Sequence, residues 1–379
     1  MKIVVCGGGT AGHIVPALAV IDALRASNSN VQILYIGSGS ALETQLLKER
    51  DLKYKSVSAG KFRRYRRGWK AEITDVKTAS QNFVDAVKLS KGYIQSRSIL
   101  RKFKPDVVFT KGGYVTVPVG LAAAHKKIPP IIHESDAILG LSTKILAKHA
   151  TSIATGFPTE VFSNLSYRSK IVFCGNPVRK ELLSNNPVRA KKTFNFKSNK
   201  PIVLLFAGSL GAMALNEVVF ENLELILRNY NFIHHTGSQG IEQARIAKHQ
   251  LPSNLADNYQ PYDFLGEELS DALFLADVVI GRAGANSIAE FAAHSKALIV
   301  VPSPYSANNH QQKNAEVLMR YGAARILQQN QLTPVRLCSE IERIVSDTKA
   351  KKYLQQSLHE FWVPDSAERI VKLILKASK

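Results

Sequence analysis

Two glycine turns, each lying between a short apolar run and the start of a helical stretch, constrain this chain more than any other feature. The first, Cys6-Gly7-Gly8-Gly9-Thr10-Ala11-Gly12-His13, follows Lys2-Ile3-Val4-Val5. The second, Ala207-Gly208-Ser209-Leu210-Gly211-Ala212, follows Ile202-Val203-Leu204-Leu205-Phe206. A glycine turn at the carboxyl end of a buried strand lets backbone amides and a helix N-terminus approach an anionic ligand. Two such units about 200 residues apart predict two nucleotide-fold domains facing one cleft. At 379 residues the chain is too long for one ordinary core and suits two.

The pattern between the turns agrees. Strands are expected at Ile3–Cys6, Val31–Ile36, Asp106–Thr110, Pro130–His133, Ser152–Thr155 and Lys170–Cys174. Helices are expected between them, over Ile14–Arg25, 74–104, Val119–Ala124 and Ser142–His149. The alternation breaks at Gly175-Asn176-Pro177 and restarts with strands at 202–206, Phe232–His235, Asp277–Ile280 and Ala297–Val301. This predicts an α/β protein of parallel strands with helical crossovers. We expect an N-terminal domain over 1–165 and a C-terminal domain over 166–354, with 355–379 returning to the first through the amphipathic helix Ser366–Ala377.

The formal charge of +20 is uneven. Residues 61–104 hold thirteen Lys or Arg against Glu72, Asp75 and Asp85, which is half of the net charge. Such a patch attracts nucleic acid, anionic lipid or phosphorylated ligands, or is simply a solvated helix face. Phe62, Tyr65 and Trp69 interleave with Arg63, Arg64, Arg66, Arg67 and Lys70, which suits rings entering a membrane interface while charges stay at the headgroups. A basic nucleic-acid-binding protein would account for the charge but not for the glycine turns, and no recognition motif lies in the segment. Three glycines after Cys6 interrupt any signal-like apolar start, and no apolar run reaches the roughly 18 residues of a membrane span. Cys6, Cys174 and Cys338 are scattered, forming neither a disulfide framework nor a metal pattern. A soluble cytoplasmic protein is expected.

The chemistry-bearing residues cluster where strands end. Gly7-x-Gly9-x-x-Gly12 matches the dinucleotide fingerprint, but the second strand ends Ile36-Gly37-Ser38 without an acid for an adenosine ribose, which disfavours a dehydrogenase. His13 opens the first helix and could accept a proton from a substrate hydroxyl, or be satisfied by local backbone. Lys111-Gly112-Gly113-Tyr114 and His133-Glu134-Ser135-Asp136 each follow a strand and belong on the same edge; His133 with Glu134 is equally readable as a structural pair. Gly281-Arg282-Ala283-Gly284-Ala285-Asn286-Ser287 precedes the helix carrying Glu290 and suits a diphosphate and a ribose, though a helix dipole alone explains such an acid. Asn308-Asn309-His310-Gln311-Gln312 offers neutral donors for sugar hydroxyls. There is no Asp-x-Asp for a nucleotide-bound cation, no Gly-x-Ser-x-Gly elbow and no P-loop lysine.

Gly8-Gly9-Thr10-Ala11-Gly12-His13-Ile14-Val15-Pro16-Ala17 resembles the opening motif of the MurG family, the UDP-N-acetylglucosamine transferases of peptidoglycan synthesis. Lys111 to Val115, His133 to Asp136, Gly175-Asn176-Pro177-Val178-Arg179, Gly208 to Ala212, Arg282 to Ala285 and Asn309 to Ala315 resemble its later blocks in order, and the likeness runs from about residue 2 to 340. The resemblance implies a GT-B fold of two Rossmann-like, doubly wound parallel-sheet domains facing a cleft. It implies inverting transfer of N-acetylglucosamine from UDP-GlcNAc to the 4-hydroxyl of a polyprenyl-diphosphate-linked muramoyl-pentapeptide. By position, Ser209, Gly266 (through backbone), Ala285, Asn286, Ser287, Glu290, Gln311 and Gln312 would hold UDP-GlcNAc, with Glu290 on the ribose and Gly284–Ser287 on the phosphates. Thr10, Ala11, Gly12, Asp136 and Arg179 would complete the cleft from the other side. His13 would sit near the reacting hydroxyl, with Glu134 and Asp136 the other candidates for proton transfer and Tyr114 on the acceptor side.

Ala11 stands where the family more usually has a second glycine, and Ser135-Asp136 where it has Gln-Asn; an aspartate accepts sugar hydrogen bonds but cannot donate them. The expected enzyme uses no catalytic metal, binds no nucleic acid, and works as a peripheral protein on the anionic cytoplasmic face of the cell membrane. The alternatives on the same fold are a transferase for another lipid acceptor and a UDP-GlcNAc epimerase.

Overall fold

Each apolar run that precedes a glycine turn becomes an interior strand of a parallel sheet. The computed structural model describes residues 1–60, 76–184, 186–208 and 211–378. The first sheet contains β1 (Lys2–Cys6), β2 (Gln32–Gly37), β3 (Lys53–Ser56), β4 (Val107–Thr110), β5 (Pro130–Glu134), β6 (Ser152–Thr155) and β7 (Ile171–Phe173), in the order β3-β2-β1-β4-β5-β6-β7. The second contains β8 (Ile202–Phe206), β9 (Asn231–His235), β10 (Tyr259–Tyr262), β11 (Val278–Gly281), β12 (Ala297–Val300) and β13 (Arg325–Ile326), in the order β10-β9-β8-β11-β12-β13. Every ladder is parallel. Helices cover both faces, which is why the central strands are apolar throughout rather than alternating.

In both sheets the strand order reverses beside the glycine-turn strand: β1 lies between β2 and β4, and β8 between β9 and β11. Ligands of open parallel sheets bind at such switch points, outside the carboxyl ends of the strands. The topology thus brings the turn after β1 beside Gly112-Gly113, and the turn after β8 beside Gly281–Gly284.

The chain forms two units, Met1–Ser135 with Leu139–Pro177 and Asp365–Lys379, and Val178–Pro364 with Asp136–Ile138. The first unit runs beyond the expected boundary at 165 because β7 pairs with β6. The returning segment begins at 365 rather than 355, because helix Thr348–His359 packs on β12 of the second unit. Helix Ser366–Ala377 lies against helix Ala11–Ser27 and buries Ile370, Val371 and Ile374 in the first unit's core. Three edge strands, β3, β10 and β13, were not expected from sequence.

The expected membrane residues Phe62, Arg63, Arg64, Tyr65, Arg66, Arg67 and Trp69, and the expected ligand residue Ser209, lie outside the described residues.

Candidate active site

At the first switch point the loop after β1 is braced from behind. Tyr35 Oη donates to the Gly7 carbonyl at 3.1 Å. Glu43, on helix Ala41–Lys48, is fully buried, and its Oε2 accepts from the Ser38 amide (2.8 Å), the Ser38 hydroxyl (3.0 Å) and the Gly39 amide (2.9 Å). A Cβ on Gly37 would lie 2.1 Å from this carboxylate. The place beside β2 where a dinucleotide-binding protein receives a ribose is therefore filled from within.

Thr10 is the N-cap of helix Ala11–Ser27, and its carbonyl accepts from the amides of His13 (3.1 Å) and Ile14 (3.2 Å). Ala11, Gly12 and His13 form the first turn. The His13 ring rests on the turn after β4: a Cβ would lie 3.4 Å from it on Gly112 and 3.2 Å from it on Gly113. Both glycines have left-handed backbone, φ +88° and +87°, which other residues adopt only with strain. Tyr114 covers Gly9, whose Cβ would lie 2.9 Å from its ring. Lys111 and His13 thus share one edge, as expected, while the Lys111 ammonium is buried and donates to the Ser135 hydroxyl.

The expected alternative of a His133–Glu134 pair is not what forms. His133 is buried, its Nε2 donating to the Gly175 carbonyl at 2.9 Å, and burial together with the Lys111 charge keeps its pKa well below the usual range. Glu134 Oε2 instead accepts from the Gly140 amide at 2.8 Å, at the start of helix Leu141–Leu146. Asn176 supports the same loop by donating to the Ser135 carbonyl at 3.1 Å.

At the second switch point two glycines face open space: nothing lies within 4 Å of a Cβ built on Gly208 or Gly284. Gly284 is the N-cap of helix Ala285–Ala293 and carries no side chain to cap it, so the first turn, Ala285-Asn286-Ser287, presents a helix N-terminus with its positive dipole end. Glu290 stands one turn further on. Its Oε1 lies 3.6 Å from Arg179 Nη2, and burial pushes its carboxyl pKa up to about 7 against the opposing pull of the arginine. Arg282, next to the turn, donates to the Val301 carbonyl at 2.9 Å, and burial lowers its pKa to about 10, so it remains a cation at neutral pH.

Arg179 falls in the second unit, in keeping with the expected domain over 166–354, and Asp136, expected within 1–165, falls there as well. Both belong to the second unit, the first through its pairing with Glu290 and the second through a hydrogen bond from Asn314 Nδ2 to Asp136 Oδ1 at 2.8 Å. Gly266 is spent locally, its amide donating to Glu268 Oε2 at 3.1 Å and its carbonyl accepting from the Leu269 amide. Gln311 and Gln312 open helix His310–Arg320; Gln311 Oε1 accepts from the Ser303 amide (2.8 Å), and Gln312 Nε2 donates to Glu316 (3.3 Å). What Gln311 can offer a ligand is accordingly its NH2 group.

Sequence reasoning gave no role to Asn314 and none to Glu43. A signal for Asn314 existed: it lies one helical turn after Gln311 and beside the apolar Ala315, where an exposed helix face has already ended. Among the described residues no group of three His, Cys, Asp or Glu side chains gathers as a metal site, and no helix is long and apolar enough to cross a membrane.

The comparisons agree from end to end. Residues 3–155 match the N-terminal domain of glycosyltransferase family 28 and residues 202–370 its C-terminal domain. The chain is 36% identical, over all of its length and 98% of the relative's, to the UDP-N-acetylglucosamine–N-acetylmuramyl-(pentapeptide) pyrophosphoryl-undecaprenol N-acetylglucosamine transferase of Clostridium perfringens. It is also 36% identical to the enzyme of the same name from Treponema denticola, over 94% of this chain and 93% of that one. Among solved structures, Acinetobacter baumannii MurG superposes with a TM-score of 0.74 at 27% identity, covering 99% of both chains. The UDP-GlcNAc 2-epimerase of Neisseria meningitidis reaches a TM-score of 0.67 at 13% identity, covering 99% of this chain and all of that one, and so shares the GT-B architecture alone.

Proposed function

Since this chain belongs to glycosyltransferase family 28, we propose that it catalyses inverting transfer of N-acetylglucosamine from UDP-GlcNAc to the 4-hydroxyl of a polyprenyl-diphosphate-linked muramoyl-pentapeptide, as a step of peptidoglycan synthesis. The observation that carries this reading is the end-to-end match to transferases of that name, joined to the uncapped helix N-terminus and buried carboxylate at the second switch point. The epimerase alternative has only the shared fold behind it.

The chemistry follows from the residues. The N-terminus of Ala285–Ala293 receives the diphosphate, and Glu290 accepts hydrogen bonds from both ribose hydroxyls. Asp136 accepts from a hydroxyl of the sugar, and Gln311 donates to one. His13, steadied on Gly112 and Gly113, takes the proton of the acceptor hydroxyl as its oxygen attacks the anomeric carbon. The bond from that carbon to the diphosphate breaks on the opposite face, and the helix N-terminus stabilises the charge that develops on departing UDP.

The acceptor is membrane-bound, and we assign docking to the basic segment 61–104. Support comes from helix Val76–Phe103, on which Phe83, Val87 and Ile94 share one face and are 73%, 54% and 68% exposed. Lys88, Lys91 and Arg97 flank that stripe. Basic residues near an anionic leaflet contribute about 1 kcal/mol each, and exposed rings and aliphatics add burial in the interface.

The activity is tested with labelled UDP-GlcNAc and a short-chain analogue of the acceptor lipid; formation of the disaccharide product is expected, and release of free sugar or epimer without transfer overturns the reading. Docking is tested by co-sedimentation with anionic and neutral vesicles at low and high salt. An Arg63/Arg64/Arg66/Arg67→Ser variant should lose the anionic preference, and equal partitioning of both proteins would remove the docking role while leaving the transferase reading intact.

A further inference from the structure

One buried side chain joins three separate stretches of the second unit that the donor is read to touch. Asn314 has no solvent exposure. Its Nδ2 donates to Asp136 Oδ1 at 2.8 Å and to the Ala283 carbonyl at 2.9 Å, while its Oδ1 accepts from the Ala137 amide at 2.8 Å. These are both of the donors that an asparagine amide has, and one of its acceptor sites. The orientation of the amide is unambiguous, because a carboxylate and a carbonyl can only accept and the Ala137 N–H can only donate.

No other side chain does this at the same volume. Aspartate cannot donate, leucine can do neither, and glutamine is a methylene too long for a close-packed interior. The bond to Asp136 is charge-assisted and partly buried, a class that orients its partner firmly. A carboxylate has no donor with which to orient itself, so at position 136 it depends on an external donor in a way that an amide would not.

We propose that Asn314 is a positioning residue for donor-sugar recognition: it fixes the Asp136 carboxylate in register with Ala283, the residue that leads into the Gly284 phosphate turn, so that sugar and diphosphate are read in one rigid frame. The inference rests on the reading that Asp136 accepts from a hydroxyl of N-acetylglucosamine. Asn314 touches no ligand itself; its effect passes through Asp136, and it therefore acts on UDP-GlcNAc and not on UDP.

The test is calorimetry with UDP-GlcNAc and with UDP on folded variants, folding being checked by thermal unfolding. Asn314→Asp preserves shape and the acceptor for Ala137 but sets a second carboxylate against Asp136. It should weaken UDP-GlcNAc at least about tenfold while UDP stays within about twofold of wild type. Asn314→Thr, which keeps one donor, serves if Asn314→Asp does not fold, with the same split expected between the two ligands. In the exchange variant Asp136→Asn/Asn314→Asp, the amide at 136 can donate to the carboxylate at 314, and part of the preference for UDP-GlcNAc over UDP should return. Equal weakening of both ligands, or no return in the exchange variant, marks a merely structural role and overturns the inference. Asp136→Ala separates the two levels: if it leaves the preference intact, the sugar reading of Asp136 falls and the inference with it. If it abolishes the preference while Asn314→Asp and Asn314→Thr do not, the positioning inference alone falls.

Discussion

Burial pushes the Glu290 carboxyl up to about 7, with Arg179 3.6 Å away only partly opposing it, yet a ribose held through two hydroxyl donors requires the ionised form. The unliganded protein is then about half protonated at neutral pH, and each UDP-GlcNAc bound at pH 7 should release about half a proton. The apparent affinity should rise about tenfold between pH 6 and pH 8, following the ionised fraction. UDP-GlcNAc suits the measurement because its diphosphate is esterified at both ends and does not titrate in that interval. Calorimetry at pH 7 in two buffers of different ionisation enthalpy gives the proton count directly. Glu290→Gln should release none, show no such slope, and bind about 1.5–3 kcal/mol more weakly at pH 8, the worth of hydrogen bonds to a charged group. The same shift sets a stability signature. From pH 4.5 to about 7 the folded carboxyl keeps a proton that the unfolded one has lost, so stability falls as pH rises through that window, by about 3 kcal/mol in full. Glu290→Gln should therefore unfold at a higher temperature than wild type at pH 8 and at the same temperature at pH 4. A proton count of zero for wild type at pH 7, with UDP-GlcNAc still bound, refutes the reasoning.

Further outcomes are expected elsewhere. Gly113→Ala puts a Cβ 2.4 Å from the Gly8 carbonyl and 3.2 Å from the His13 ring; turnover should fall at least about tenfold, while the dissociation constant for UDP-GlcNAc, measured by calorimetry, stays within twofold. His13→Ala should lower the transfer rate roughly 10²–10⁴-fold at unchanged donor affinity, and wild-type turnover would move the base to Glu134 or Asp136. On the proposed reading, in which a helix N-terminus receives the diphosphate, transfer should proceed at the same rate with and without chelator; a rate abolished by chelator and restored by magnesium would reverse that. A chain cut after Pro364 loses Ile370, Val371 and Ile374 from the first unit's core, each worth about 1.5–3 kcal/mol, and thermal unfolding should show it destabilised.

The central strands were legible because burial on both faces forces an uninterrupted apolar run, as in Ile202–Phe206. Three of the four edge strands were not, because an edge tolerates what a centre forbids: β3 reads Lys-Tyr-Lys-Ser, β10 carries Pro261, and β13 has two residues. Glycine turns marked both switch points because Gly9 (φ +91°) and Gly208 (φ +84°) hold the left-handed backbone that favours glycine, as Gly112 does beside the His13 ring. What stayed hidden were partners distant in sequence. Arg179 meets Glu290, and Asp136 meets Asn314 across 178 positions, with no local signal linking either pair. The expected boundary near 165 therefore put Asp136 in the first unit, although it falls in the second, while Arg179 lies in the second unit as that boundary implied. Glu43 was missed for a different reason: the acid was sought at the end of β2 itself, and it comes from the helix that follows.

The return of helix Ser366–Ala377 to the first unit bears on how the protein is made. A ribosome finishes residues 1–177 well before it reaches residue 365, so the first sheet emerges with one flank of its core uncovered. The second unit is synthesised and free to fold during that interval, while the apolar side of helix Ala11–Ser27 waits for Ile370, Val371 and Ile374. Completion of the first unit is thereby tied to translation of the last helix. A product released early by a stalled ribosome keeps an intact second unit but displays an unsealed apolar strip, the kind of surface that chaperones and proteases recognise.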